Sequence, residues 1–351
     1  MKSQFYERLK VLPPEIWSKT ALIDELKGQW VSGAKLNPQV LGRLKRSVLI
    51  TSTGASTRIE GSRLSDEDVE KLMRGLSVQK FVDRDKQEAK GYYKLLSDVF
   101  ESWKRLPFSE SAIKHFHKEL LKYVDKDKLH RGEYKKTENK VHMIDAAGQS
   151  AGILFDTTPA YLTPKEMLEL VEATKKGFEE KRYHPLIIIG NFLVDFLLIH
   201  PFQDGNGRLS RVLTNLLLLK SGYEYIPYVS HEKLVEDNKV DYYMALRKSQ
   251  NTMRGCKPNI APWLEFFLSV VYKQAEMAIQ LLSKESIDKI LSPKQLVVWK
   301  YLQGVDEAAP REIGKKTKVA RPTVKQVLSK LLALKKIERV GLGRTTRYRK
   351  I

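Results

Sequence analysis

The chain is poor in cysteine and lacks a long apolar run. Cys256 is the only cysteine among 351 residues, which excludes an internal disulfide and favours a reducing, cytoplasmic location. The longest apolar stretch, Ile187–Ile199, is interrupted by Asn191 and Asp195, so we expect no membrane-spanning helix and no membrane partner. The first ten residues contain no apolar segment of the kind found in secretion signals, so we do not expect export.

Positive charge is in excess and unevenly distributed. The net charge is +20, and residues 292–351 hold 16 Lys and Arg against 4 Asp and Glu, which makes +12. The preceding 291 residues therefore carry only +8. Such a concentration of basic residues predicts a separate terminal module that faces an anionic partner.

Apolar residues recur at helical spacing through most of the chain, which predicts a mainly α fold. We expect helices from Pro13-Pro14 to about 27, 37–51, from the N-cap Ser65, and over 78–103, 109–123, 164–181, 185–199, 206–221, 231–250 and 259–284. Two short apolar runs, Val141–Ile144 and Ile153–Phe155, flank Ala146-Ala147-Gly148-Gln149 and predict a β-hairpin. A lone hairpin needs a supporting surface, so it is either an irregular connection or one wall of a ligand cleft.

The pattern changes from Ser292 onwards. Two helices, a turn, a third helix and two strand-like runs around Gly341-Leu342-Gly343 follow in order. This order resembles a winged helix-turn-helix module, which implies contact with double-stranded DNA. The start of its recognition helix would carry Arg321, Thr323, Lys325 and Gln326, and its wing would carry Arg344, Arg347, Arg349 and Lys350. Protein contact or dimerisation is the alternative role for such a module.

The segment from His200 to Arg211, HPFQDGNGRLSR, concentrates chemistry in twelve residues. An apolar helix ends at His200, and a glycine-rich turn then opens the next helix, whose unpaired N–H groups and positive dipole end can seat a phosphate. Arg208 and Arg211 share a helix face and suit further phosphate oxygens. Asp204 offers a hard oxygen ligand for Mg²⁺, and the imidazole of His200 suits a general base. The other histidines lack the spacing of a zinc site, so we expect no structural metal.

This segment resembles the signature of the Fic family of adenylyltransferases, HPFx[D/E]GNGRxxR, at every fixed position. The resemblance implies a helical Fic core over about 109–268 with a β-hairpin flap. It also implies transfer of AMP from ATP to a Ser, Thr or Tyr hydroxyl of a target protein or of the chain itself, with release of pyrophosphate. Some relatives transfer other groups, so the donor stays open.

The same resemblance assigns roles to individual positions. His200 would be the catalytic base, and Asp204 would hold Mg²⁺ between the α- and β-phosphates. The remaining ATP contacts would be Gly205, Asn206, Gly207, Arg208 and Arg211 at the phosphates, Ile153, Leu154 and Phe155 on the flap strand, and Tyr242, Tyr243 and Gln250 near adenine. For the two tyrosines, packing on a helix is the alternative.

A second match lies upstream, where residues 56–61 fit [S/T]xxxE[G/N], the pattern of the family's inhibitory helix, through Ser56, Glu60 and Gly61. Glu60 would border the ATP site, pair with Arg211 and repel the triphosphate. The expected organisation is an N-terminal helical region over 1–108, the Fic domain over 109–268, a connecting helix over 269–291 and the winged helix over 292–351.

Two other functions remain open. Glu60 could instead orient a water that removes AMP from a modified protein. Alternatively, the chain could be a DNA-binding regulator whose Fic core senses nucleotides, although such a sensor would not need His200. Proteins of this family with an inhibitory helix often form homodimers, which is the oligomeric state that the resemblance implies.

Overall fold

The structure, a computed structural model, describes residues 2–33, 38–75, 83–144, 150–334, 336–341 and 346–351. The expected hairpin loop Ala146–Gln149, the expected helix start at 78–82, Leu342-Gly343 and Arg344 lie outside these residues. The chain divides into two compact units, 1–279 and 280–351, and both are mainly helical, as predicted. In the described part of the chain, none of the helices has the length and apolar character needed to cross a membrane.

The larger unit contains twelve helices and one hairpin among its described residues. The helices are α1 (Lys2–Glu7), α2 (Pro14–Gly33), α3 (Pro38–Ile59), α4 (Asp66–Met73), α5 (Asp83–Ser102), α6 (Glu110–Leu120), α7 (Thr163–Glu180), α8 (Pro185–Ile199), α9 (Asn206–Lys220), α10 (His231–Asp237), α11 (Lys239–Gln250) and α12 (Ala261–Ile290). Strands β1 (Lys140–Ile144) and β2 (Ser150–Asp156) pair antiparallel, with Val141 opposite Phe155 and His142 opposite Ile153 across a bulge. The division between the two units falls within α12, and the predicted limit at residue 268 also lies inside this helix.

The core of the larger unit is built around α8 and α9. Residues Leu186 to Ile199 are all buried, because a helix that is apolar on every side needs partners around its whole circumference. The apolar residues of α9 from Leu209 to Leu219 are buried as well, and α8 packs against both α7 and α9. The core therefore holds the connecting loop 200–205 at a fixed position.

The two polar residues that interrupt the apolar run share one partner, Arg8. Its Nε donates to Asn191 Oδ1 at 2.6 Å, and its Nη2 forms an ion pair with Asp195 Oδ2 at 2.5 Å. All three side chains are buried, so each polar group is compensated within the core. This contact ties the N-terminal segment to the middle of α8.

Of the helices whose limits differ from the prediction, two have a local structural cause. We expected the second to end near residue 51, but α3 continues to Ile59 through Thr51-Ser52-Thr53-Gly54, because Ser52 and Thr53 are buried and the Thr53 hydroxyl donates to the Leu49 carbonyl at 2.7 Å. The motif at 56–61 therefore covers the end of α3. The single helix expected over 231–250 is wrong: it breaks at Asn238, whose backbone leaves the helical region and whose side chain donates to the Leu234 carbonyl.

The smaller unit has three helices and a second hairpin among its described residues. They are α13 (Pro293–Gln303), α14 (Pro310–Thr317), α15 (Arg321–Ala333), β3 (Ile337–Val340) and β4 (Arg347–Lys350), in the order expected from the sequence. The three helices enclose an apolar core that includes Val298, Leu302, Ile313 and Leu328. Strands β3 and β4 pair antiparallel, and Tyr348 bridges to Ala308 between α13 and α14.

Candidate active site

The loop from α8 to α9 is held closed by its own side chains. His200 and Gly205 both adopt positive φ values, 52° and 79°, which allow sharp turns at both ends of this loop. The side-chain amide of Asn206 accepts from the Phe202 N–H at 2.9 Å and donates to the Phe202 carbonyl at 2.7 Å. Because the Asn206 amide is engaged inside the loop, only the backbone of this residue is left to face a phosphate.

A buried histidine supports the same loop from below. His117 of α6 stacks on Phe202 with ring centroids 3.8 Å apart, and its Nε2 lies 3.0 Å from the Asp204 carbonyl oxygen. Its Nδ1 accepts from the Gly132 N–H at 2.9 Å, so Nε2 carries the proton. Burial lowers the pKa of His117 to about 4, and the ring stays neutral. His117 therefore positions Asp204 through the backbone.

The His200 imidazole has the protonation state that a general base needs. Its Nδ1 lies 3.2 Å from the Leu197 carbonyl, and since a carbonyl oxygen can only accept, Nδ1 carries the proton. The lone pair is then on Nε2. Burial lowers the pKa of His200 to about 4, so the ring is neutral near pH 7 and can take up a proton.

Asp204 is held by two arginines. Its Oδ2 accepts from Arg84 Nη2 at 2.8 Å and from Arg208 Nη2 at 2.9 Å. Burial of the carboxyl opposes ionisation, but Arg208, the Gly205 N–H and Arg84 together outweigh it and keep the pKa of Asp204 below its ordinary value. Asp204 is therefore a carboxylate at neutral pH.

Glu88 of α5 completes a ring of alternating charges. Its Oε2 lies 2.6 Å from Arg208 Nη1, and its Oε1 accepts from Arg84 Nε at 2.8 Å. Arg84, Asp204, Arg208 and Glu88 thus contact one another in a closed cycle, which we call the charge ring. Arg208 is almost wholly buried, whereas 41% of the Arg84 side chain is exposed.

Arg211 is bound from the end of α3. Its Nε donates to Ser56 Oγ at 2.8 Å, and its Nη2 donates to the Ser56 carbonyl at 3.0 Å and to Glu60 Oε1 at 2.7 Å. Arg211 Nη1 is buried without a hydrogen-bond acceptor among the described residues. Glu60 also covers the first turn of α9, since a Cβ on Gly207 would lie 2.2 Å from Glu60 Oε1. The Glu60 carboxylate thus occupies the position where the sequence predicts a phosphate.

The aromatic residues of α11 lie beside this ion pair. Tyr242 is buried against Trp263 and Phe266, and Tyr243 is partly exposed. Burial raises the pKa of Tyr242 to about 12, with opposing contributions from nearby Arg211 and Glu60. Gln250 is buried at the end of α11, where its Nε2 lies 3.5 Å from the Val194 carbonyl oxygen. Its side chain is therefore less accessible than we expect of a residue that contacts adenine.

The hairpin is tied to the end of α8, next to His200, by the buried side chain of Lys135. Lys135 Nζ donates to Asn139 Oδ1 at 2.8 Å, to Thr157 Oγ1 at 2.8 Å and to the Ile199 carbonyl at 3.0 Å. Asn139 immediately precedes β1 and Thr157 immediately follows β2. The backbone of the expected flap residues Ile153, Leu154 and Phe155 forms the middle of β2, which passes beside α11.

The chemistry of the donor set limits the kind of metal that fits. Among the described residues, no group of three or more His, Cys, Asp or Glu side chains could hold a metal ion. Asp204 offers one ionised carboxylate at the entrance to α9. Mg²⁺ that accompanies a nucleotide commonly takes one or two carboxylates and completes its shell with phosphate oxygens and water, so Asp204 fits a metal–nucleotide complex.

Four residues that shape the site were not singled out by sequence reasoning. Arg84 and Glu88 carry the signal of an ordinary ion pair four residues apart on a helix, and nothing in the sequence directs them to Asp204 and Arg208. His117 was weighed only as a zinc ligand. Lys135 is a single lysine in a loop, and no local pattern marks it as buried.

Comparisons with known proteins agree with this architecture. Residues 107–218 match the family model described as the Fic/DOC family. A Fido domain-containing protein of Dictyostelium discoideum is 36% identical over 73 residues, 18% of this chain and 48% of that protein. The protein adenylyltransferase Fic-1 of Caenorhabditis elegans is 32% identical over 99 residues, 27% of this chain and 16% of that protein. The chain thus spans half or less of these relatives.

The fold is shared with a solved structure over nearly the whole length. The crystal structure of a Fic family protein from Desulfovibrio desulfuricans superposes with a TM-score of 0.62 and covers 97% of both chains at 24% identity. This likeness establishes the fold. It leaves the reaction to be argued from the site.

Proposed function

We propose that the chain is a protein adenylyltransferase that transfers AMP from ATP to a hydroxyl side chain of a protein and releases pyrophosphate. The observation that carries the proposal is the state of His200, which is neutral and whose Nδ1–H contact with Leu197 leaves the lone pair on Nε2. His200 lies six residues before the start of α9, whose first two turns carry the buried Arg208 and Arg211. A neutral base beside a phosphate seat suits the deprotonation of a hydroxyl that attacks phosphorus. The adenylyltransferase names of several relatives support the same reaction.

The proposed transfer needs one base and one leaving group. His200 Nε2 takes the proton of the target hydroxyl while the hydroxyl oxygen forms a bond to the α-phosphorus. The bond from the α-phosphorus to the bridging oxygen of the β-phosphate breaks, and pyrophosphate leaves. AMP remains attached to the target through a phosphodiester. Catalysis here consists mainly of positioning and charge stabilisation.

The phosphates are expected at the start of α9. The backbone N–H groups of Gly207 and its neighbours, together with the helix dipole, favour an anion there. Arg211 contributes a buried Nη1 for which the described residues provide no acceptor, and a phosphate oxygen would satisfy it. Arg208 lies one helical turn earlier, so the two guanidinium groups can bind different phosphates of one ATP.

Asp204 would hold the Mg²⁺ that accompanies ATP, and this ion would neutralise charge on the phosphates. The aromatic side chains of Tyr242 and Tyr243 would border adenine, whereas Gln250 is buried and its amide faces the Val194 carbonyl instead. Strand β2 has one edge paired with β1, and its other edge would align a target segment by main-chain hydrogen bonds.

We infer that the enzyme is autoinhibited through Glu60. The support is geometric: the carboxylate pairs with Arg211 at 2.7 Å and covers the first turn of α9. A γ-phosphate and this carboxylate would compete for the same guanidinium, and their negative charges would repel each other. ATP therefore binds with loss of one arginine contact until Glu60 moves away.

For the smaller unit we propose a second activity, the binding of double-stranded DNA by a winged helix. On α15, Arg321 and Lys325 are exposed and four residues apart, so they share one face. The positive charge of strand β4 is partly compensated, because Arg347 pairs with Glu307 and Arg349 pairs with Glu338. The face of α15 is therefore the better candidate for phosphate contacts.

The transferase proposal is tested by labelling the Glu60→Gly variant with α-³²P-ATP and Mg²⁺, with and without the further change His200→Ala. We expect His200→Ala to abolish protein labelling while ATP still binds, because a base acts in the transition state. The matched control is His115→Ala on the exposed surface of α6. Normal labelling by the His200→Ala protein would overturn the mechanism.

A further inference from the structure

The charge ring joins the signature loop to a helix outside the matched segment 107–218. Arg84 and Glu88 lie on the first two turns of α5, and they contact the two signature residues Asp204 and Arg208. Helix α5 therefore holds both the expected metal ligand and one expected phosphate ligand. This contact is separate from the one that α3 makes, because Glu60 and Ser56 bind Arg211 instead.

We propose that Arg84 competes with the divalent cation for Asp204, so that α5 sets the metal requirement of the enzyme. The inference rests on the proposed function. It assigns a regulatory role to Arg84, whose guanidinium must release the Asp204 carboxylate before a metal–nucleotide complex can bind it fully.

Competition follows from the occupancy of one oxygen atom. Asp204 Oδ2 accepts hydrogen bonds from both Arg84 and Arg208, and a carboxylate oxygen has two lone pairs. A cation that approaches this oxygen needs one of those lone pairs, and it also meets the positive charge of each guanidinium. A cation at Oδ2 therefore displaces one arginine, and a cation at Oδ1 of the same carboxylate is still repelled by both guanidinium groups.

Arg84 is the arginine that can move. Arg208 is about 3% exposed, whereas the Arg84 side chain is 41% exposed at the surface of the site. Arg84 also has other acidic partners, because Glu88 binds its Nε and Asp127 Oδ2 lies 3.6 Å from its Nη2. Asp127 Oδ2 is buried without a hydrogen-bond donor among the described residues, so it offers a place for the released N–H group.

Release of Asp204 leaves the rest of the ring in place. Arg208 keeps its contact with Glu88, which preserves the position of the guanidinium near α9. The displaced Arg84 stays between Glu88 and Asp127. The change therefore involves one side chain near the protein surface and needs no movement of the buried core.

The test measures metal binding directly. Free Mn²⁺ is followed by electron paramagnetic resonance during titration of the full chain carrying Glu60→Gly, saturated with α,β-methylene ATP, which cannot release AMP. The added variants are Arg84→Gln, Arg84→Lys and, as the matched control, Lys90→Gln, which removes one exposed positive charge from the same helix. Nucleotide binding without metal and the thermal melting of each protein are recorded in parallel.

We expect Arg84→Gln to lower the dissociation constant of Mn²⁺ by about tenfold, because one positive charge next to the dication is lost in a half-exposed site. Arg84→Lys should give a smaller change, and Lys90→Gln should give none. Equal constants for Arg84→Gln and Lys90→Gln, or weaker Mn²⁺ binding by Arg84→Gln, would overturn the inference. If the variants still bind the nucleotide in that case, the inference on Arg84 fails and the proposed function stands. If none of the proteins binds the nucleotide, the inference and the proposed function are both overturned.

Discussion

Replacement of Glu60 by glycine should convert a nearly silent enzyme into an active one. Within the described part of the chain, the Glu60 carboxylate makes one hydrogen bond, from Arg211 Nη2 to Oε1 at 2.7 Å, and it lies over Gly207 where a phosphate is expected. Arg211 keeps two hydrogen bonds to Ser56 when the carboxylate is removed, so its guanidinium stays in place. The variant therefore frees Arg211 without disordering it.

The size of the effect follows from the contact that ATP regains. A charge-assisted hydrogen bond in a partly buried site contributes about 1.5–3 kcal/mol. Arg211 is buried, but about a third of the Glu60 side chain is exposed, so solvent reduces the value towards the lower limit. At 1.4 kcal/mol per factor of ten, productive ATP binding should improve roughly ten- to thirtyfold. Better alignment of the α-phosphate adds to the labelling rate.

The assay compares self-labelling and ATP affinity at equal protein and nucleotide concentrations. Glu60→Gln should activate partially, since the amide removes the charge but still accepts a hydrogen bond. Glu67→Gly on α4, whose carboxylate is mostly exposed, is the control for loss of an acid. Addition of Arg211→Ala to Glu60→Gly should cancel most of the gain, because both changes act on one contact. Equal labelling by wild type and Glu60→Gly would refute autoinhibition and leave the transferase proposal intact.

Two further predictions concern pH and DNA. The pKa of His200 is about 4 and the base is active when neutral, so the labelling rate of Glu60→Gly should be nearly constant from pH 7.5 to 6. With a histidine of ordinary pKa, the labelling rate would fall about fourfold over this range. A fall of that size would contradict the assignment. The full chain should retard duplex DNA at low salt, and Arg321→Gln with Lys325→Gln should reduce the slope of log affinity against log salt by about 2, as measured by gel shift. Lys294→Gln with Lys300→Gln on α13 is the matched control, and an unchanged slope in the α15 variant would assign the smaller unit to another partner.

Most of the fold could be predicted because its helices carry strong local signals. The boundaries of α8 follow from Pro185 and His200, and both strands of the first hairpin were expected from short apolar runs. The end of α3 and the break at Asn238 could not be predicted, since burial of Ser52 and Thr53 and one side-chain contact override local propensity.

The candidate site was predictable only where its residues are close in sequence. Positions 200–211 form one loop and one helix, so their spacing already describes the phosphate seat. The partners that orient them come from distant segments: Arg84 lies 120 positions from Asp204, and His117 lies 87 positions away. No periodicity encodes such pairings, which depend on how α5 and α6 pack against α9.

The lysine at the base of the first hairpin has a consequence for how targets would be chosen. Lys135 fixes both ends of the hairpin to the residue before His200, so the edge of β2 is held at a constant distance from the His200 imidazole. A target segment that pairs with this edge advances about 3.3 Å for each residue of slip, and its side chains alternate between faces. The hydroxyl that reaches His200 Nε2 would thus be selected by the register in which the target segment pairs with β2. Unrelated sequences could serve equally if each places a Ser, Thr or Tyr at that position of the register.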